Sequence, residues 1–407
     1  KNIVSEALHN YKNAEYEHSQ SLPELGHRYK YWKIQMGKEI LKCNGVHQAI
    51  SFAQEKTDLD SSVKIKFAKL APAISDYESA LRHDYPHFMT EIKNFSEPAV
   101  FSAKGTMKKG NRYVSNTLYY QLSCLFACLT YKSDIKSICD IGGGYGGPAR
   151  LWVENTIQSV NRYTIIDIPE SLFFAEVFLK KTLPDATIIY VQPDSQYKNY
   201  SKLDKVIFLC PVTLSEFTKD ISFDCIHGSS GSFQEMPEAW LKFYSDWLGR
   251  QNASFFYADN SFGNPIESLW ESENIFAPLV PKNWALKYFR TNVPSRLLYS
   301  FDRNKAEMFF ERQDNVATDD VGKNEKARLF FNSRKLEKFS RNELLWFSYS
   351  LLHSRDLELE VDLIKKFVKD FNYMPAELFF LIKRVIGHKN FHEHDNPDSK
   401  YINSLYE

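Results

Sequence analysis

The stretch Asp140-Ile141-Gly142-Gly143-Gly144-Tyr145-Gly146-Gly147 follows the apolar run SICDI (137–141) and opens a helical sequence. Glycine has no Cβ, so this segment can turn tightly from strand to helix and let a ligand approach the backbone. A second strand, RYTIID (162–167), ends on Asp167, about twenty residues beyond the loop. A carboxylate at that place can accept two hydrogen bonds from a ribose diol. Strand, glycine loop, helix, strand and acid in this order point to a nucleotide-type cofactor at the edge of a parallel sheet.

The neighbouring segments extend that sheet. SLFFAEVFLKKTL (171–183) reads as a helix, TIIYV (187–191) as the third strand and KVIFL (205–209) as a further short strand. FDCIHG (223–228) is the next strand, a helix lies around 238–248, and ASFFYAD (253–259) is another strand. Such alternation reads as a doubly wound, mostly parallel sheet. WALKYF (284–289), RLLYSF (296–301) and AEMFFE (306–311) lie too close together for crossover helices, so they require antiparallel pairing. The fold class is therefore α/β, with a doubly wound and mostly parallel sheet carrying an antiparallel edge. Residues 1–114 form a helical amino-terminal region expected to cap the acceptor side, with a loop at 99–114. Residues 115–312 form the cofactor domain, beginning with a helix at about 117–129. Residues 313–407 form a helical carboxyl-terminal extension whose apolar faces can wall a pocket or join two copies in a homodimer.

Composition limits the alternatives. Lys+Arg and Asp+Glu are both 51, so the formal net charge is zero and the basic surplus of a general nucleic-acid binder is lacking. No run of about 18 apolar residues is present, so no membrane span is expected. The six cysteines include no Cys-x-x-Cys pair and read as small buried hydrophobes, which fits a reducing cytoplasm. No carboxylate cluster is dedicated to a divalent ion, so no metal is expected. His83 with His87, and His392 with His394, are read as surface features.

Gly142, Gly144 and Gly147 also satisfy the nicotinamide-type Gly-x-Gly-x-x-Gly spacing, so glycine alone does not choose the cofactor. Asp140 discriminates. A carboxylate at that strand end repels a pyrophosphate and suits a cationic amino-acid group, such as that of S-adenosylmethionine. Asp140-x-Gly142-x-Gly144-x-Gly146 resembles the first motif of the class I S-adenosylmethionine-dependent methyltransferases. DIGGGYGGPARL (140–151), IDIPESLFFAEVFL (166–179) and SFQEM (232–236) together resemble the sugar O-methyltransferases of bacterial surface-polysaccharide clusters. The resemblance covers about residues 100–312. It implies a seven-stranded Rossmann-like methyltransferase sheet. Asp140, Gly142, Gly143, Gly144 and Gly146 would cradle the methionine end of the cofactor, and Asp167 with Ile168 would hold its ribose side. Gln192 or Asp194 would stand in for the acid that often touches adenine. The implied reaction is methyl transfer to a hydroxyl of a nucleotide-linked or glycan sugar.

The acceptor belongs at the carboxyl ends of the later strands. Ser232, Gln234, Asn260 and Tyr120 supply polar groups suited to it. Two residues compete as the base. His227 has a side chain that titrates near neutrality. It stands where the family usually has Asn. Glu235 is carried by the resemblance and is the favoured candidate. Two other readings remain open: an aromatic or polyketide hydroxyl as acceptor, and a nicotinamide-dependent oxidoreductase.

Overall fold

The computed structural model describes residues 2–15, 27–52, 77–79, 81–82, 85–98, 106–154, 157–158, 160–200, 202–228, 232–233, 236–261, 284–290, 305–312 and 365. The RLLYSF run and the carboxyl-terminal helices, residue 365 apart, lie outside them, as do Gln234 and Glu235.

The glycine loop joins β3 (Ser137–Ile141) to α4 (Gly147–Glu154). The strands after it are β4 (Arg162–Asp167), β5 (Thr187–Tyr190), β6 (Val206–Pro211), β7 (Ser222–Gly228), β8 (Asn252–Ser261), β9 (Trp284–Arg290) and β10 (Lys305–Arg312). They form one sheet in the order β5-β6-β4-β3-β7-β8-β10-β9. Pairing is parallel from β5 to β8. β10 then pairs antiparallel with both β8 and β9. The expected seven-stranded, Rossmann-like methyltransferase arrangement is present as β6-β4-β3-β7-β8-β10-β9, and β5 adds an eighth strand at its edge. That addition moves Gln192 to the end of an outer strand. The third strand of the seven is β6, which the sequence reading took for a further short strand.

Every residue of β3 and β6 is buried, as strands covered on both faces must be. One cover is α3 (Asn116–Tyr131), buried nearly all round and started by Ser115, whose Oγ accepts from the Leu118 amide at 3.0 Å. Others are α5 (Pro169–Thr182), with Pro169 where a missing N–H costs nothing, and α6 (Glu238–Arg250). The amino-terminal region begins with α1 (Ile3–Glu15) and α2 (His27–Ile40). α1 lies against α5, with Asn10 Nδ2 2.9 Å from Glu176 Oε1 and Glu6 paired with Lys180 at 3.2 Å. Residues 106–114, read as loop from sequence, instead form a hairpin of β1 (Met107–Lys109) and β2 (Arg112–Val114), turned at Gly110 with φ +64°. All six cysteines are buried and unbridged, as read. Among the described residues no helix is long and apolar enough to cross a membrane.

Candidate active site

The loop after β3 shows why its glycines are needed. Gly142, Gly144 and Gly146 hold φ of +74°, +57° and +87°, a region side chains disfavour. A Cβ on Gly142 would lie 2.1 Å from Ser232 Oγ, and one on Gly146 would lie 2.8 Å from Leu179 Cδ1. A Cβ on Gly143 would meet Asp140 Oδ2 at 2.7 Å. Gly144 differs: a Cβ there would meet nothing within 4 Å. The backbone is bare at this one loop position, beside Asp167, where a ligand can approach.

Asp167 ends β4, with its carboxylate turned back to the loop. Oδ2 accepts from Gly144 N at 2.9 Å and Oδ1 from Ile168 N at 2.7 Å. Desolvation nevertheless outweighs these bonds and a further one from Ser171, so the carboxyl is pushed up to about 6. A carboxylate has about four lone-pair directions, and three are taken, so capacity remains for one hydroxyl donor. Asp167 and Gly142 line a cleft of about 380 Å³, its open mouth included, with Ile168, Val212, Met236, Pro237, Trp240 and Tyr244. Among the described residues its single charged lining group is the acid, and no Lys or Arg lines it.

Sequence reasoning missed four of these residues. Val212 follows β6 and occupies the place expected for Gln192, because Asp167 pairs with Pro211 across the sheet. Gln192 Nε2 instead lies 3.3 Å from Asn10 Oδ1 of α1 and is not among the lining residues. Pro237, Trp240 and Tyr244 start α6. The spacing of Trp240 and Tyr244, four apart behind a proline, was the available signal.

Asp140 does not reach the cleft surface. It is fully buried, and Tyr163 donates its hydroxyl to Oδ2 at 2.8 Å. Oδ1 lies 3.4 Å from His227 Nδ1. The register explains this: Asp140 pairs with His227 across β3 and β7, so their side chains rise on the same face, beneath α3. His227 is 4 % exposed, its ring stacked with Tyr257 at 5.3 Å between centroids. Its Nε2 is buried and has no hydrogen-bond partner among the described residues. One strand further, Asp259 is fully buried, and Tyr120 donates to its Oδ2 at 2.7 Å. Tyr120 thus reaches the strand ends from α3 by holding this carboxylate. Ser232 Oγ lies 3.2 Å from the Gly142 carbonyl, which places it on the glycine loop. Asn260 is the penultimate residue of β8, opposite Ala306.

No metal-holding cluster of His, Cys, Asp or Glu occurs among the described residues.

No protein-family model matches this sequence. No curated protein matches it. Solved structures do. The [4+2]-cyclase SpnF is 11 % identical, with 60 % of this chain and 98 % of that one covered and a TM-score of 0.33. A structure describing conversion of a disulfide bond into a thioacetal group in echinomycin biosynthesis is 14 % identical, covering 47 % and 82 %, at 0.30. Magnesium protoporphyrin IX methyltransferase from Synechocystis PCC 6803, with bound SAH, is 10 % identical, covering 48 % and 84 %, at 0.29. The assignment of fold rests on the strand order rather than on these values.

Proposed function

We propose that this protein is an S-adenosylmethionine-dependent O-methyltransferase. One observation carries the reading. Among the described residues, the cleft beside the bare Gly144 backbone is lined by one carboxylate and apolar or aromatic groups, with no cation. A pyrophosphate would face Asp167 there with no compensating charge in the described lining, whereas a phosphate-free nucleoside would find a hydroxyl acceptor and apolar walls. This argues against the nicotinamide reading. Asp167 would take a ribose hydroxyl, and Ile168, Val212, Met236 and Trp240 would enclose apolar surface. When bound, the cofactor supplies an activated methyl group on a sulfonium, so the hard chemistry is its own. The chain must orient an acceptor hydroxyl and receive its proton.

The acceptor we propose is a sugar hydroxyl, on a nucleotide-sugar or a surface polysaccharide. The SFQEM motif supports this, together with Tyr120, Asp259 and Ser232 near the strand ends. Ser232 serves this reading at the seam between loop and acceptor. A smaller aromatic or polyketide hydroxyl is the second reading, favoured by the Met236, Trp240 and Tyr244 lining. A cytoplasmic site of action fits the free cysteines.

Calorimetric titration with S-adenosylhomocysteine, against NADH, tests the cofactor. Saturable binding of the former and none of the latter is expected. NADH binding alone would overturn the reading. A panel of nucleotide-sugars and phenols, scored by S-adenosylhomocysteine released, then separates the two acceptor classes.

A further inference from the structure

The acid that opens the glycine loop is turned away from the cleft. A motif acid serving the cofactor directly would line the cleft; Asp140 is instead sealed beneath α3 between Tyr163 and His227. Tyr163 donates to Oδ2, and Oδ1 lies toward the imidazole. At 3.4 Å the Oδ1 to Nδ1 separation is longer than a mature hydrogen bond, a looseness common at catalytic pairs before substrate binds. A carboxylate oxygen has only lone pairs to offer. Nδ1 facing it must therefore carry the hydrogen, since two facing lone pairs would repel. The neutral ring then has its hydrogen on Nδ1 and its lone pair on Nε2. Nε2 is the nitrogen that no described group satisfies. A buried acceptor left without a partner is costly, so a place that keeps one calls for a reason. The ring cannot readily turn to relieve it, because Tyr257 stacks on one face.

We propose that Asp140 and Tyr163 are positioning residues that fix His227 as its Nδ1–H tautomer, and that His227 Nε2 takes the proton of the acceptor hydroxyl. This rests on the methyltransferase reading above. It replaces Glu235 as the favoured base and moves Asp140 from cofactor holding to histidine orientation. In the proton step, the Nε2 lone pair forms the new N–H bond. The pair of the broken O–H bond stays on the acceptor oxygen, which becomes the nucleophile. The resulting imidazolium lies beside Asp140, whose negative charge stabilises it. The location agrees, since His227 is the penultimate residue of β7, at the carboxyl end of the strand next to β3.

The test reads the ring directly and needs no acceptor. Protein labelled with ¹⁵N in histidine and glycine is prepared, and the His227 signals are identified by their loss in His227→Gln. In the neutral ring, a pyrrole-type shift at Nδ1 and a pyridine-type shift at Nε2 are expected. Asp140→Asn should convert the ring to the other tautomer or to a mixture. Tyr163→Phe, a milder change that keeps the ring of the tyrosine, should move it partway in the same direction. An Nε2–H ring in the unaltered protein overturns the proposal, as does a tautomer indifferent to both substitutions. S-adenosylhomocysteine is then added to the same sample. Shifts at the Gly142 and Gly144 amides and at the His227 ring support the proposal. Shifts at the loop with an unmoved ring overturn the base assignment alone. An unmoved loop at saturating ligand, with the tautomer as expected, overturns the methyltransferase reading and the base role resting on it, while the Asp140–His227 orientation stands on the first measurement.

Discussion

Along β3 and β4 the strand ends are shaped by backbone. Three glycines at positive φ set the loop, and two amide N–H groups fix Asp167. Along β7 and β8 they are shaped by side chains. His227 leans on Asp140 and Tyr257, and Asp259 is held by Tyr120 from a helix 139 residues earlier in the chain. The first half is a shape that excludes Cβ atoms. The second is a set of polar groups whose directions depend on the sheet register. Damage should therefore differ in kind: the loop half should fail in binding, and the side-chain half should fail in chemistry while binding persists.

The largest effect should fall on the side-chain half. His227→Gln is expected to lower the single-turnover rate on the acceptor chosen by the panel about 10²–10⁴-fold, the usual range for a lost general base. S-adenosylhomocysteine affinity should stay within about twofold, because His227 does not line the cofactor cleft. Loss of affinity equal to the loss of rate would erase the distinction between the halves.

Gly142→Ala should do the opposite. Its φ of +74° strains an L-residue, and its Cβ would lie 2.1 Å from Ser232 Oγ. Strain of this kind costs about 1–3 kcal/mol. The loop should relax out of shape and S-adenosylhomocysteine should bind about 5–150-fold more weakly. Adding Ser232→Gly removes the overlap and leaves the backbone strain, so affinity should recover only in part. Full recovery would show that space, rather than φ, makes glycine necessary there.

The same contrast decides what could be read from sequence. The loop half was legible because its determinants are adjacent: Asp140 through Gly147 announce a tight strand-to-helix turn, and Asp167 follows at the end of the next strand. Strand-like runs at 137–141, 162–167 and 223–228 that alternate with helical stretches pointed to the parallel strands, and the short spacing after 284 to the antiparallel edge. The side-chain half was legible only as residue types. His227 was singled out for its chemistry, yet its facing of Asp140 follows from β3 and β7 being neighbours in register. Nothing local to either residue encodes that neighbourhood. Gln192 shows the same limit. TIIYV and KVIFL are both strand-like, and which of them lies beside β4 is set by the sheet, not by the runs themselves. The result places Val212 rather than Gln192 at the cleft. The hairpin at 107–114 escaped because its strands are three residues each, too short for alternation to show.

A smaller change sharpens the loop half. Asp167→Asn keeps the size of the side chain and one acceptor but removes the charge. Hydrogen bonds to charged groups contribute about 1.5–3 kcal/mol against about 0.5–1.5 for neutral ones. S-adenosylhomocysteine should therefore bind roughly tenfold more weakly, with melting little altered. Unchanged affinity would remove Asp167 from the ribose site.

The pH dependence of the same carboxyl gives the finest test, because it predicts opposite signs for binding and for folding. Desolvation raises Asp167 to about 6 in the folded protein, above the roughly 3.9 of an unfolded chain. The folded state thus takes up this proton before the unfolded state as pH falls. Its contribution to stability is full below about 4 and is lost as pH rises through about 6. The complex behaves the other way. A hydroxyl donating to Asp167 needs the ionised form, so affinity is full above about 6 and falls by up to about tenfold per pH unit below it. Between pH 7 and pH 5, S-adenosylhomocysteine should lose about tenfold in affinity by calorimetry. Over the same interval the difference in unfolding free energy between the unaltered protein and Asp167→Asn should shift in favour of the unaltered protein. In Asp167→Asn the fall in affinity should disappear. Persistence of the fall in that variant would assign it to another group and leave the loop half without its titrating acid.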